Sequence, residues 1–199
     1  MKLKKLKSHY EKRSTPITAI EYYQTEIIKS PGFDEYLDSQ ILPLIGQVVI
    51  SFNALENGID FNLTDVLNPE NDELGWITIK HYSYSQKRRL LIEFLKAESK
   101  ILNHLTKQDV EDLRLALELA GTMRNKIIHG DWEAMTPEHR IKTKVDLDDD
   151  SVSFQMTRYT YSDLEGDTDF IDAVSSLMWK LKKDDYGQSV EDFLTNKID

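Results

Sequence analysis

Apolar positions recur at three- and four-residue spacing through much of the chain, a period that predicts helices. The clearest run is Leu44, Ile45, Val48, Phe52, Leu55 and Ile59, a stripe along one helix face. Pro43 stands near its start, or kinks a longer helix that begins near Asp34. Asn57-Gly58 weakens its far end and Asn68-Pro69 closes the region. An earlier helix is predicted from Thr15, a capping residue with Pro16 in the first helical position, to about Ser30, where Pro31-Gly32 stops it. Residues 68–83 read as a connector in which Leu74-Gly75-Trp76-Ile77-Thr78-Ile79 forms a short extended piece. A third helix opens near Ser83 or Ser85 and turns Leu90, Leu91, Phe94, Leu95, Ile101 and Leu102 inward. A fourth opens at Thr106, with Asp109 placed as in a capping box, and buries Leu113, Ala116, Leu117, Ala120 and Ile127. Gly130 suits the left-handed residue that ends it.

Beyond this point the pattern changes. Ile141–Leu147 and Val152–Tyr161 read as two strands around the turn Asp148-Asp149-Asp150-Ser151. Phe170, Ile171, Val174, Leu177, Met178 and Leu181 then mark a fifth helix, and a short sixth is expected from Ser189 to Lys197. The predicted fold class is all-α, an antiparallel helical bundle with a small β-hairpin appendage and a C-terminal helix. Residues 1–14 are expected to be a basic tail and 15–135 the bundle. Residues 136–199 supply the hairpin and C-terminal helices, packed on the same domain.

Composition narrows the chemistry. The chain has 199 residues, enough for one domain with its own core. It has no cysteine, which excludes disulfides and thiolate metal sites and suits a reducing cytoplasm. No apolar run approaches the roughly 20 residues that span a bilayer, so no membrane partner is expected. The start, MKLKKLK, lacks the apolar stretch of a secretory signal. A net charge of -10 argues against general coating of nucleic acid, because phosphate affinity rests on Lys and Arg. An RNA substrate would have to be met by a local basic cleft.

The informative segment is Arg124-Asn125-Lys126-Ile127-Ile128-His129-Gly130, at the end of the fourth helix. Asn125 and His129 are four apart and share a face, whereas Arg124 lies about 140° from His129 around the helix. The long arginine side chain can still curl toward the groove the other two face. A cation, an amide and an imidazole near one point suit phosphodiester cleavage in RNA. The 2′-hydroxyl is the nucleophile, an imidazole can take its proton, and a fixed cation can stabilise charge on the phosphorane. Taken alone, an Arg and a His in one helix also fit a surface role, His being common in a last turn.

The same segment resembles the signature of the HEPN family: an Arg, a polar residue after it, and a His four to six residues on. Ser51-Phe52-Asn53-Ala54-Leu55-Glu56-Asn57-Gly58-Ile59 resembles the earlier HEPN helix that carries an acidic residue, and Ser85-Gln86-Lys87-Arg88-Arg89-Leu90-Leu91 the start of the next helix. The resemblance covers roughly residues 40–132. It implies a HEPN-like bundle that forms a homodimer, with two Arg/His sets facing a shared cleft. It also implies metal-independent ribonuclease activity without a cofactor, often in toxin–antitoxin, phage-defence or RNA-processing settings with a protein antitoxin or regulator as partner. Carried over by position, Arg124 and His129 are the catalytic pair, Asn125 their polar support and Glu56 a helper. Lys126, Lys87, Arg88 and Arg89 are candidate RNA-binding cations, against the plainer reading of Lys87-Arg88-Arg89 as a solvated face. The alternative is a non-catalytic HEPN-like module for dimerisation or for nucleotide or protein binding. Asp146, Asp148, Asp149 and Asp150 lack the spacing of a calcium loop and read as an acidic turn.

Overall fold

The computed structural model describes residues 15–16, 39, 41–67, 72–97, 105–129, 131–136, 139–148, 151–181 and 189–198. Most of them are helical: α1 is Leu42–Leu67, α2 Asp72–Ile79, α3 Tyr84–Ala97, α4 Lys107–Ile128, α5 Tyr161–Leu181 and α6 Val190–Ile198. The remainder includes four extended segments, β1 Thr15–Pro16, β2 Asp131–Thr136, β3 His139–Asp148 and β4 Ser151–Thr160. They are hydrogen-bonded in the order β1-β4-β3-β2, all antiparallel. Residues 1–14, the predicted helix from 17 to 30, Ile101, Leu102, Gly130 and Asp149-Asp150 lie outside the described residues. Among those described, no helix is long and apolar enough to cross a membrane.

The stripe that identified α1 is the one it buries: Val48, Phe52, Leu55 and Ile59, continued by Leu63. Asn57-Gly58 does not weaken this helix, which continues through it to Leu67. A Cβ at residue 58 would stand 2.9 Å from the Met178 Cβ. The glycine is thus where α5 comes closest, and packing across that gap offsets its poor helix propensity. Asn62 fastens the same contact by donating from Nδ2 to the carbonyls of Gly58 (2.7 Å) and Met178 (3.0 Å).

Two local expectations are corrected. Residues 74–79, read as extended, belong to α2. Gly75 and Ile79 are its buried positions, and a spacing of four serves both a strand face and one helical turn. Tertiary contact decides between them: a Cβ on Gly75 would meet Thr64 at 3.0 Å, and Trp76 lies edge-on to Phe61 at 5.4 Å. Conversely, Thr15–Pro16, read as a helix start, is extended and pairs with Arg158 and Thr157 of β4. Proline tolerates such an edge position because it has no N–H to give a further strand.

Caps set the other boundaries. Ser83 and Gln86 bond each other reciprocally at the start of α3, from the Ser83 N–H to Gln86 Oε1 (2.8 Å) and from the Gln86 N–H to Ser83 Oγ (3.4 Å). Thr106 and Asp109 form the capping box of α4. A second Thr-x-x-Asp box, Thr160 and Asp163, starts α5 at Tyr161, a residue the pattern assigned to the preceding strand. The apolar faces of α1, α3, α4, α5 and α6 meet in one core, with Leu55, Ile59, Leu113, Leu117, Phe170 and Leu177 almost fully buried.

Asp109 is used twice. Its Oδ2 accepts from the Thr106 N–H (2.9 Å), and its Oδ1 accepts from the Val190 N–H (2.9 Å), so one buried carboxylate caps α4 and anchors the start of α6. Asp109→Ala is expected to lower the unfolding free energy by about 1–3 kcal/mol. Urea denaturation reads that loss, and a variant as stable as the parent would count against both contacts.

Candidate active site

Arg124, Asn125 and His129 all stand on the last turns of α4. The helix ends at His129, whose backbone N–H still donates to the Asn125 carbonyl at 3.1 Å. Asn125 and His129 are exposed and Arg124 is half-buried. The arginine does curl across the helix: its Nη1 lies 3.0 Å from Asn125 Oδ1 and 3.1 Å from His129 Nε2. Guanidinium nitrogens only donate, so a hydrogen bond in this contact requires the tautomer in which Nε2 accepts and Nδ1 carries the proton.

A support from α1 and α3 holds the guanidinium. Its Cζ sits 5.4 Å from the centroid of the Phe52 ring. Phe52 in turn packs on Tyr84, with ring centroids 4.7 Å apart. The Tyr84 hydroxyl donates to the Leu117 carbonyl at 2.6 Å, and burial raises its phenol pKa above the ordinary tyrosine value. Tyr84 is therefore committed to packing. Its ring fills the space a side chain at Gly121 would need, since a Cβ there would fall 2.7 Å from Tyr84 Cε1. Gly121→Ala gains helix propensity of about 1 kcal/mol. The clash with a ring pinned at both ends costs about 1–3 kcal/mol. The net change expected in thermal unfolding is a lower midpoint; a raised midpoint would show that the ring can move aside.

The basic run of α3 splits in space. Arg88 and Arg89 border an open cavity on the α4 side. Lys87 instead turns to α1 and is buried, its Nζ 2.8 Å from Asp60 Oδ2 and 3.2 Å from Glu56 Oε1. Its charge is already met by two carboxylates, so it does not join Arg88 and Arg89 as a phosphate contact. Glu56 likewise bonds Lys87, with no hydrogen bond to Arg124 or His129 among the described residues. Lys126 is half-buried on the turn between Asn125 and His129.

Asp60 is a residue that sequence reasoning missed. It is 6% exposed, and its Oδ1 has no hydrogen-bond partner among the described residues. Burial raises the Asp60 pKa above its ordinary value; Lys87 pulls it down by less, and the Glu56 charge adds to the rise. For Lys87, burial works downward, but the hydrogen bonds and charges of Asp60 and Glu56 together hold its pKa above the ordinary lysine value. The signal was present in the sequence: Asn53, Glu56, Asn57 and Asp60 make a polar stripe on an otherwise core-facing helix.

No family model matches this chain, and no curated protein or solved structure matches it either.

Proposed function

We propose that the protein is an endoribonuclease of the HEPN type, cleaving RNA by attack of the 2′-hydroxyl without a metal ion. The observation that carries the reading is the contact of a guanidinium and an imidazole at one exposed helix end, braced by Asn125 and Phe52. In the resting site Arg124 occupies the lone pair on Nε2. A phosphate is a stronger partner for a guanidinium than an imidazole is. RNA would draw Arg124 onto its non-bridging oxygens and release Nε2 as a base. His129 then takes the 2′-hydroxyl proton, the 2′-oxygen bonds to phosphorus and the bond to the 5′-oxygen breaks. The proton passes to that leaving oxygen, giving a 2′,3′-cyclic phosphate and a 5′-hydroxyl. Arg124 stabilises the charge on phosphorus in transit. The helices would form a HEPN-like bundle with residues 139–160 as an appended hairpin. A homodimer would bring a second Arg124/His129 pair to the same cleft, and toxin–antitoxin or phage defence in the cytoplasm is the setting this activity suits.

The test is cleavage of mixed RNAs in EDTA, with end analysis of the products. Cyclic phosphate ends, and no cut at a phosphate whose preceding sugar is 2′-deoxy, are expected. Intact RNA under all conditions would favour a binding module instead.

A further inference from the structure

A cavity of about 240 Å³ opens between α3 and α4, lined by Ser85, Arg88, Arg89, Glu93, Lys96 and Arg114 among others. Four cations face one carboxylate there, in a chain whose net charge is -10. Arg114 is ion-paired with Glu111 (2.7 Å) and Glu118 (2.9 Å), so, like Lys87, its charge is already met by two carboxylates. Among the described residues no carboxylate pairs Arg88, Arg89 or Lys96. Cations that border one cavity and have no carboxylate partner among the described residues suit a phosphate contact.

Its position relates it to the candidate active site. Tyr84 meets Leu117 and Gly121, while Lys96 shares the cavity with Arg114, so α3 and α4 run antiparallel. Arg114, Glu118, Gly121 and Asn125 follow one another at three- and four-residue intervals along the same face of α4. From Arg114 to Asn125 is about 17 Å of helix axis. The first turn of α3 joins the two: its exposed Ser85 and Gln86 line the cavity, and its Tyr84 packs on Phe52, over which Arg124 lies. A strand leaving the Arg124/His129 pair across the exposed first turn of α3 therefore reaches the cations a few nucleotides on.

We propose that the α3–α4 cavity is a subsite for the sugar–phosphate backbone of the RNA strand, away from the bond being cut. This rests on the ribonuclease reading, and it adds Lys96 to the surface while leaving out Lys87 and Arg114, whose charges carboxylates already meet. Contact is to phosphate oxygens, so it does not select sequence.

The experiment measures binding of a 2′-O-methyl 12-mer, which cannot be cut, to the full chain in EDTA over a range of salt. Arg89→Gln/Lys96→Gln, both at exposed positions, is compared with Lys80→Gln/Lys180→Gln, which removes the same charge elsewhere. The first pair is expected to weaken binding by at least about 10-fold and to flatten the log–log salt slope by about 1.4. The second pair is expected to change neither by much. Equal effects from the two pairs, or none from the first, would overturn the subsite. A mononucleotide bound as tightly as the 12-mer and lost with it in the first pair would overturn the strand path in favour of a small-anion site. Site-specific loss with the 12-mer, alongside no cleavage of ordinary RNA, would keep the subsite and remove the catalytic reading.

Discussion

His129→Ala is expected to slow single-turnover RNA cleavage by about 10²–10⁴-fold, the usual contribution of a positioned general base. Arg124→Ala is expected to cost about 10²–10³-fold, as for removal of one donor from a developing oxyanion. The two losses will not multiply. Arg124 Nη1 and His129 Nε2 touch at 3.1 Å, and residues that work as a unit are strongly non-additive, so the double variant should resemble the worse single one. Arg124→Lys should recover little. A lysine carries the charge, but it lacks the planar guanidinium that lies over Phe52 while its Nη1 meets Asn125 Oδ1 and His129 Nε2. None of these variants should shift thermal unfolding much, because Asn125 and His129 are exposed and a partly exposed cation–π contact is worth about 0.5–1 kcal/mol. Rates are read on denaturing gels in EDTA. Variants that cut within threefold of the parent would remove these residues from the chemistry.

Lys87→Met should be strongly destabilising. It leaves Asp60 buried at 6% exposure with no cation, and stranding a buried charge costs about 3–5 kcal/mol. The loss should depend on pH in a definite direction. Asp60 already has a folded pKa above its ordinary value, and without Lys87 it rises further. A carboxyl with a raised folded pKa favours the native state below its unfolded value and loses that advantage as pH rises through the folded one. The variant should therefore recover part of its deficit on acidification from about pH 7 to about pH 4.5. In the parent, the raised Lys87 pKa predicts support that persists through neutral pH and is lost as pH climbs through the folded lysine value. Asp60→Asn with Lys87 intact should cost less than Lys87→Met, since Glu56 still meets the ammonium at 3.2 Å. Urea denaturation at the two pH values distinguishes these. A deficit in Lys87→Met that is the same at both would show that Asp60 is not the stranded charge.

How much of this was legible beforehand depends on the range of the interaction. Helix periodicity, the Thr106/Asp109 box and the spacing of Arg124, Asn125 and His129 are relations within one or two turns, and the sequence states such relations directly. The start of α5 was legible too, in Thr160 and Asp163, but a strand-like run of Thr and Tyr hid it.

Other features depend on residues far apart in the chain. Lys87 and Asp60 are 27 positions apart, and nothing in Lys87-Arg88-Arg89 distinguishes the lysine that turns inward from the arginines that face the cavity. The helicity of α2 rests on Thr64 and Phe61, and the glycines at 58 and 121 owe their places to Met178 and Tyr84. By itself the sequence determined the five periodic helices α1, α3, α4, α5 and α6, where most are capped, and which short stretch carries an arginine and an imidazole. Only the tertiary structure decided which charges are neutralised, which glycines are close approaches and what braces the arginine, because burial and partner choice arise when helices meet.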